Sequence, residues 1–533
     1  MTPLVLVRGR RTGRGLRLGI VALGLLCAGG VRAAGPEDVA PLATTTAGRI
    51  RGYVDQGVDA FKGISYGADT ARRRFQAPLP PAPWSGVRDC RAFGPMAPQA
   101  SARNDGAVAG EDCLNLNVWT PGLRDGRHRP VLVYFHGGAY DNGTVNSDLY
   151  DGVRLCRRGD VVVVTVNHRL NGFGYLYLAE LGGPEFADSG NAGMLDLVLA
   201  LRWVHDNIAE FGGDPGGVTI FGQSGGGAKC ATLMAMPAAR GLFQRVWTMS
   251  GQQLTGRTRE HATATARAVL QKLGLTPGHL DEIKTMSWER LAGAMRGETW
   301  TPVVDGTVLP RDPFAPDASP ESADLPMVLG NTHDETTYLI GRSDPATFAL
   351  TWESLPGKIR QHVSRFLGDL SPDAVVAAYR GLYPAYTPSD VFFAATTAAR
   401  SWKGMVLESE RRARQGGAPT YVYYLHWPSP VDGGKWKAPH ALDIPLVFDN
   451  VASGATQTGT APEAQAMADL MSGALIAFAR TGNPGTPPLP TWPRFELERR
   501  PAMIFDLPPR AEDDPRGAER RLFAPVVYVQ PGT

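Results

Sequence analysis

The sequence lacks the features by which several classes of protein are usually recognised. Among 533 residues there are only five cysteines, and no Cys-x-x-Cys or His-x-x-x-His spacing suggests a metal site. There is no internal repeat and no long low-complexity tract, which excludes a repeat architecture and a disordered chain. The composition, with 43% hydrophobic and 20% charged residues, is typical of a soluble globular protein.

The first 33 residues differ from the rest of the chain. They hold six arginines and no acidic residue, and residues 18–28 form an apolar segment too short to cross a bilayer. Val31-Arg32-Ala33 fits a small-residue cleavage site, so we predict a signal peptide cut near Ala33 and a periplasmic or secreted mature protein. The adjacent Arg10-Arg11 leaves Sec and twin-arginine export both open. Leu26 is too bulky to precede a lipid-modified Cys27, which disfavours a lipid anchor.

The balance of charge depends on whether this segment is counted. The whole chain carries 54 basic and 52 acidic residues, a net charge of +2, whereas residues 34–533 carry 48 basic and 52 acidic residues. The mature chain is therefore slightly acidic. Nothing in this balance indicates a nucleic-acid partner.

A strand, a tight turn and a helix follow one another at residues 218–236. Residues 218–221 are apolar and read as a short buried strand, and residues 227–236 read as a helix that Pro237 ends. Between them lies Gly222-Gln223-Ser224-Gly225-Gly226. A serine on so sharp a turn is presented above a sheet, beside the free N–H groups of a helix N-terminus. The alternative is an ordinary glycine-rich turn.

A second glycine turn follows the apolar strand predicted at residues 131–135. His136-Gly137-Gly138-Ala139 would expose backbone N–H groups with little side-chain cover, as stabilisation of an oxyanion requires. The alternative is again a plain tight turn. Further strands are predicted at residues 161–166, 245–249, 326–330 and 419–425, and helices at residues 194–207 and 463–480.

This alternation predicts an α/β fold with a central, mostly parallel, doubly wound sheet. The length suggests two to four domains, but a single α/β domain with insertions also reaches this size. We predict one domain over residues 34–533. Segments around 258–300 and 345–415 have a helical pattern and would cover the active site, which should lie at the carboxyl ends of the strands.

A serine nucleophile needs a base to take its proton and an acid to orient that base. Glu335 and His440 both lie in loops that follow predicted strands, in the order serine, acid, histidine. From the residues alone, Asp334 could replace Glu335, and His426 could replace His440.

The chain resembles the type-B carboxylesterases, α/β-hydrolases that include bacterial para-nitrobenzyl esterases, cholinesterases and fungal lipases. The resemblance extends over about residues 45–510. The matching segments are Phe61-Lys62-Gly63-Ile64, residues 111–119, His136-Gly137-Gly138, Asn167-His168-Arg169-Leu170, residues 211–226, residues 302–306, and His440 ahead of Asp443-Ile444-Pro445.

The resemblance implies a serine carboxylesterase that acts on small-molecule esters without a cofactor or metal. It implies Ser224 as nucleophile, Glu335 as acid and His440 as base. The oxyanion donors would be the N–H groups of Gly138, Ala139 and Gly225. A lipase, an aromatic ester or polyester esterase, and a non-catalytic binding protein are the alternatives. Neither stable membrane insertion nor a particular oligomeric state is implied.

Four positions depart from the pattern of the family. Gln223 replaces the usual glutamate before the serine, which predicts weaker preference for cationic esters. Gly225 replaces an alanine, and Ala139 replaces a glycine, but both keep their N–H groups. The usual first disulfide cysteine is absent, so a Cys90–Cys113 disulfide is only a possible substitute.

Overall fold

The computed structural model describes residues 40–99 and 108–531. The predicted signal peptide, its cleavage site at Ala33 and Cys27 lie outside the described residues. The strands are β1 Leu42–Thr44, β2 Arg49–Arg51, β3 Tyr53–Asp55, β4 Val58–Ser65, β5 Val87–Asp89, β6 Asn115–Thr120, β7 Arg129–Phe135, β8 Val162–Val166, β9 Gly213–Gln223, β10 Arg245–Met249, β11 Met327–Thr332, β12 Thr420–Leu425, β13 Pro501–Phe505 and β14 Arg510–Asp513.

The central sheet has 11 strands among the described residues, in the order β14-β13-β12-β11-β10-β9-β7-β8-β6-β4-β3. The seven strands from β13 to β8 in this order all pair in parallel, whereas the outer pairs at both edges are antiparallel. A small sheet of β1, β2 and β5 lies apart from it. The predicted α/β fold with a mostly parallel sheet is confirmed.

Helices surround the sheet, and four α-helices of the described chain fall within residues 345–415. The helices are α1 Val153–Gly159, α2 Asn171–Tyr175, α3 Ala179–Gly182, α4 Ala192–Asn207, α5 Gly225–Leu233, α6 Arg259–Leu273, α7 Asp281–Thr285, α8 Trp288–Ala294, α9 Glu335–Leu339, α10 Leu355–Val363, α11 Pro372–Leu382, α12 Pro388–Thr397, α13 Lys403–Gln415, α14 Asp443–Val447, α15 Ala455–Thr458, α16 Pro462–Thr481 and α17 Gly517–Phe523. A π-helical turn, Ala398–Trp402, joins α12 to α13.

Strand β6 differs from its sequence pattern. The alternation of polar and apolar residues in 111–119 predicts a half-buried strand, but all six residues of β6 are buried. Its polar side chains find partners inside the protein: Asn117 Nδ2 donates to Thr165 Oγ1 at 2.9 Å, and Asn115 Nδ2 donates to the carbonyl oxygen of Pro95 at 2.7 Å. The half-buried prediction is therefore wrong, because internal hydrogen bonds replace water on the polar face.

The possible Cys90–Cys113 disulfide is not formed. Both residues are buried free thiols, and burial raises the pKa of Cys90 to about 11. Cys90 is held by backbone hydrogen bonds to Arg51 and Lys62, near the small sheet. Cys113 instead lies among Arg169, Asp196 and other buried groups. The two cysteines are thus fixed by different neighbours.

Among the helices of residues 40–99 and 108–531, none combines the length and the apolar composition that a membrane span requires.

Candidate active site

The turn after β9 has a strained backbone. Ser224 has φ 57° and ψ −127°, which non-glycine residues rarely adopt. Its N–H donates to the carbonyl oxygen of Met249, at the end of β10, at 2.7 Å. A Cβ atom at Gly226 would lie only 2.0 Å from the carbonyl oxygen of Phe135 in β7. The turn is therefore wedged between two neighbouring strands and presents Ser224 to a cavity at their carboxyl ends.

Helix α5 begins at this turn, two residues earlier than the sequence predicts. Ser224 occupies the position before the first helical residue, and the helix ends at Leu233. Gly225 is thus the first residue of the helix, where backbone N–H groups have no partner within the helix. This places a free N–H directly beside Ser224.

The loop after β7 lies against the same turn. Gly138 has φ 85° and Ala139 has φ 58°, and both residues line the cavity. Among the described residues, no acceptor takes a hydrogen bond from the N–H of Gly138, Ala139 or Gly225. A Cβ atom at Gly225 would lie 2.2 Å from the carbonyl oxygen of Ala139. The loop and the helix start are therefore in direct contact, and three free donors meet next to Ser224.

His440 and Glu335 are joined by a short hydrogen bond between His440 Nδ1 and Glu335 Oε2. Glu335 is fully buried at the start of α9, whereas His440 lines the cavity that contains Ser224. The other carboxylate oxygen, Oε1, accepts from Ser250 Oγ, from Asn331 Nδ2 at 3.0 Å and from the N–H of Thr332 at 2.9 Å.

These contacts decide the charge of Glu335. Burial by itself would raise its pKa, but the charge on His440 and the hydrogen bonds from His440, Ser250 and Thr332 hold the pKa below its usual value. An ionised carboxylate only accepts hydrogen bonds, so the proton of neutral His440 lies on Nδ1. Nε2 then keeps the lone pair that a general base needs.

The side chain of Gln223 lies beside that nitrogen. Gln223 Nε2 is 3.2 Å from His440 Nε2 and 3.5 Å from Nδ1. Within the described ranges, Ser224 Oγ makes no hydrogen bond to His440, so the amide is the neighbour of Nε2 in this state. Catalytic hydrogen bonds are often long before substrate binds, and this geometry does not disqualify the pair.

The alternative acid and base form a separate cluster. Asp334 accepts from His333 Nδ1 at 3.0 Å, and the charge on His333 lowers the pKa of Asp334 against the effect of burial. The rings of His333 and His426 are 4.4 Å apart, and burial lowers the pKa of His426 to about 2. The structure thus places His440 at the cavity with Glu335 bonded behind it, whereas Asp334 is bonded to His333 and the ring of His426 packs against that of His333.

A buried lysine holds the glycine loop onto α5. Lys229 is fully buried, and its ammonium group donates to the carbonyl oxygens of His136 at 3.0 Å and Ala139 at 2.8 Å. Burial lowers the pKa of Lys229 to about 7. No carboxylate of the described residues pairs with it. Lys229 therefore links the helix that follows Ser224 to the loop that carries two of the three free donors.

A second buried carboxyl group lies near Glu335. Asp443 accepts from the hydroxyl group of Tyr423 at 3.0 Å, and burial together with the charge on Glu335 raises the pKa of Asp443 to about 7. The raised pKa keeps Asp443 largely protonated in mildly acidic solution. Glu335 is then the ionised carboxylate next to His440.

The cavity has a volume of about 690 Å³ and is lined by both polar and apolar groups. Ser224, His440, Gly138 and Ala139 all contribute to its wall. Two large aromatic residues, Tyr140 and Trp300, are buried and do not line it. Both serve packing instead.

Several residues of the site carry no signal in the sequence. Ser250 and Asn331 hold Glu335. Ser250 directly follows β10 and Asn331 lies near the end of β11, and neither belongs to a motif of its own. Lys229 had one usable signal, since it is the only charged residue of α5. A lone lysine on a buried helix indicates a specific partner.

Comparison with known proteins identifies the family. A sequence profile of the carboxylesterase family matches residues 39–523. Para-nitrobenzyl esterase of Bacillus subtilis is 34% identical over 504 residues, covering 91% of this chain and 98% of the relative. Phenmedipham hydrolase of Pseudarthrobacter oxydans is 33% identical over 497 residues, covering 87% of this chain and 94% of the relative.

Comparison with solved structures also finds carboxylesterases and esterases. A carboxylesterase of Geobacillus stearothermophilus superposes with a TM-score of 0.80 at 38% identity, covering 90% of this chain and 99% of the other. An esterase of Clostridium hathewayi that can hydrolyse aliphatic aromatic polyesters superposes with a TM-score of 0.76 at 31% identity, covering 92% of this chain and 99% of the other. The chain belongs to the carboxylesterase family of α/β-hydrolases and is a carboxylic ester hydrolase.

Proposed function

We propose that the protein is an exported serine carboxylesterase that cleaves small-molecule esters through Ser224, His440 and Glu335. One observation carries this proposal: the bonded pair Glu335–His440, Ser224 and three free backbone N–H groups converge at the ends of neighbouring strands. This is the arrangement that acyl transfer to serine requires.

The reaction proceeds in two halves. His440 Nε2 takes the proton of Ser224 as its oxygen attacks the ester carbonyl, and the N–H groups of Gly138, Ala139 and Gly225 bind the resulting oxyanion. One such donor contributes about 3–4 kcal/mol to transition-state stabilisation. The imidazolium, stabilised by Glu335, protonates the departing alcohol. Water then attacks the acyl-enzyme with His440 again as base, and the acid leaves.

The test uses purified residues 34–533 and para-nitrophenyl esters from acetate to palmitate. We expect Ser224→Ala to lower kcat at least about 1000-fold, which corresponds to about 4 kcal/mol. Ser453→Ala, which changes an exposed serine, is the matched control. Equal turnover by Ser224→Ala and wild type would overturn the proposal. The chain-length profile separates a short-chain esterase from a lipase.

Export is the second part of the proposal. The arginines and the apolar segment of residues 1–33, followed by Val31-Arg32-Ala33, support it. The full chain, expressed in a Gram-negative host, should be recovered from the periplasm or medium with Ala34 as its first residue. Recovery of the intact chain only in the cytoplasm would contradict export. Loss of export in R10K/R11K would indicate the twin-arginine route.

A further inference from the structure

The charges that line the candidate cavity are all of one sign. The whole chain has nearly equal numbers of basic and acidic residues. Among the described residues, however, no aspartate or glutamate lines the cavity, whereas Arg342 and Arg400 both do. Burial lowers the pKa of the lining residue His136 to about 3, which leaves this imidazole neutral. The two arginines therefore set the charge of the wall.

Arg400 reaches the cavity because of an irregular helix. It lies in the π-helical turn Ala398–Trp402, together with Ser401, which also lines the cavity. Such a turn inserts an extra residue into a helix and changes the direction of the side chains that follow, and such turns are frequent at functional sites. The turn therefore brings a guanidinium group and a hydroxyl group to the same wall.

The guanidinium of Arg400 has little to bind. It is partly buried, and Nη1 donates to Ser401 Oγ at 3.3 Å. In the ranges that the structure describes, no carboxylate lies within ion-pair distance of it. Of the five arginines that are buried in the described residues, four pair with a carboxylate, and Arg412 binds carbonyl oxygens instead. A guanidinium presents five N–H donors and remains charged. Only one donor of Arg400 has an acceptor within the described residues, and the nearby charge of buried Glu335 acts on the guanidinium without bonding to it.

Arg342 approaches the cavity from another element. It follows α9 and is exposed, and its Nη1 donates to the hydroxyl group of Tyr338 at 2.5 Å. No carboxylate of the described chain pairs with Arg342 either. An exposed cation at the mouth attracts an anionic ligand, and a partly buried one further in binds it more strongly because water screens it less.

We propose that the cavity takes esters that carry a carboxylate group in addition to the ester bond, with Arg400 binding that carboxylate and Arg342 attracting it from the mouth. The inference rests on the proposed function, in which Ser224 attacks esters in this cavity. A planar guanidinium matches a carboxylate with two parallel hydrogen bonds.

The first experiment compares matched substrates on wild-type residues 34–533. Mono-para-nitrophenyl adipate and suberate are compared with their methyl-capped diesters, in which a methyl ester replaces the terminal carboxylate, and release of para-nitrophenolate reports cleavage of the same bond in both. Shorter diacids are avoided because their carboxylate attacks its own ester. A second pair, butyryl esters of 4-hydroxybenzoate and of methyl 4-hydroxybenzoate, places the charge on the alcohol side. In one of these two substrate pairs, we expect kcat/KM to be about tenfold higher for the substrate with the free carboxylate than for its capped partner, which is equivalent to about 1.4 kcal/mol.

Variants then test the assigned residue. Arg400→Met should lower the ratio of acid to capped substrate about tenfold, mainly through KM, and Arg400→Lys should keep part of the ratio. Arg360→Met, which removes an exposed charge on α10, is the matched control and should keep the ratio of the wild type. A ratio that is unchanged in Arg400→Met would overturn the assignment.

The wild-type measurement alone can also overturn the inference, even if the variants fail to fold. Equal or faster turnover of the capped substrate in both arms would contradict it. That failure is distinct from failure of the proposed function, which would appear as turnover of the capped esters that persists in Ser224→Ala. A preference that falls as salt is raised would support the part assigned to exposed Arg342.

Discussion

Two regions of the molecule form the candidate site in different ways. The catalytic edge consists of residues 136–140, 223–226, 250, 331–335 and 440, in the turns and loops that follow neighbouring strands. The helical cover consists of residues 345–415. In the catalytic edge, backbone conformation positions the functional groups, as the positive φ angles of Ala139, Ser224 and Ser250 show. In the helical cover, the π-helical turn positions side chains such as Arg400.

The difference explains why the two regions should respond differently to change. Close packing of backbone atoms leaves the catalytic edge no room for an added methyl group at several glycines. In the helical cover, by contrast, side chains such as Arg400 and Ser401 form part of the cavity wall, and a substitution there changes that wall directly. We therefore expect changes in the catalytic edge to affect kcat and changes in the helical cover to affect substrate choice or stability.

The largest effect is expected for Glu335→Gln. The amide cannot accept from His440 Nδ1 with its nitrogen, and it favours the wrong tautomer of the imidazole, so kcat should fall about 10⁴-fold. Steady-state kinetics with a para-nitrophenyl ester measures this. Asp334→Asn is the matched control, since Asp334 binds His333 instead. A larger loss in Asp334→Asn than in Glu335→Gln would assign the acid to Asp334.

Glu335 should also make stability depend on pH. Its pKa is lowered in the folded protein, so its contribution is present above the ordinary pKa of 4.5 and is lost as the pH falls below that value. Glu335→Gln should therefore show a smaller loss of stability between pH 5 and pH 3 than the wild type in urea unfolding. An equal loss would contradict the lowered pKa.

A smaller effect is expected for Gly225→Ala. The added methyl group would meet the carbonyl oxygen of Ala139 at 2.2 Å, so the glycine loop must move and kcat should fall about 100-fold. Gly473→Ala on α16, where nothing lies within 4 Å of the added methyl group, is the control. Combining Gly225→Ala with Ala139→Gly should recover part of the loss, because glycine accepts φ 58° readily. Unchanged kcat in Gly225→Ala would contradict the packing described here.

Lys229→Met removes the link between α5 and the glycine loop. The carbonyl groups of His136 and Ala139 lose their donor, and we expect kcat to fall about tenfold while KM changes little, since the loop acts on the transition state. Lys272→Met, which changes an exposed lysine on α6, controls for loss of charge. A rise in KM with unchanged kcat would show that Lys229 serves the binding of substrate instead.

The smallest effect on kcat is expected in the helical cover, from Glu408→Gln, which should instead change how stability depends on pH. Burial raises the pKa of Glu408 from 4.5 to about 8, so the folded wild type keeps a proton that the unfolded chain loses between these pH values. Wild-type stability should fall relative to Glu408→Gln as the pH rises through this window, by about 1.4 kcal/mol per pH unit at most. Urea unfolding at pH 5 and pH 8 measures it. If the difference in unfolding free energy between Glu408→Gln and wild type were the same at both pH values, the raised pKa would be contradicted.

Much of the catalytic edge could be predicted from the sequence, because its features are local. The turn around Ser224 and the glycines after β7 are short motifs next to apolar strands. The choice of Glu335 and His440 depended on resemblance, since spacing alone left Asp334 and His426 open. The partner Ser250 lies 85 residues before Glu335, and only the folded sheet brings the two together.

The helical cover could not be predicted in the same detail. Its helical pattern is visible in the sequence, but an inserted residue in a π-helical turn does not alter composition or obvious periodicity. The pattern therefore gave no sign that Arg400 lines a cavity. The prediction that β6 is half-buried was wrong for a related reason. The hydrogen bonds that allow Asn115 and Asn117 to be buried come from distant parts of the chain.

The most direct test of the central claim is covalent labelling of wild-type residues 34–533 with diethyl para-nitrophenyl phosphate. Each modified serine releases one para-nitrophenolate, which counts the reactive groups, and peptide mass spectrometry locates the adduct. We expect one equivalent released, an adduct on Ser224, and loss of ester hydrolysis in proportion to labelling. An adduct on another residue, or full activity after Ser224 is labelled, would contradict the account.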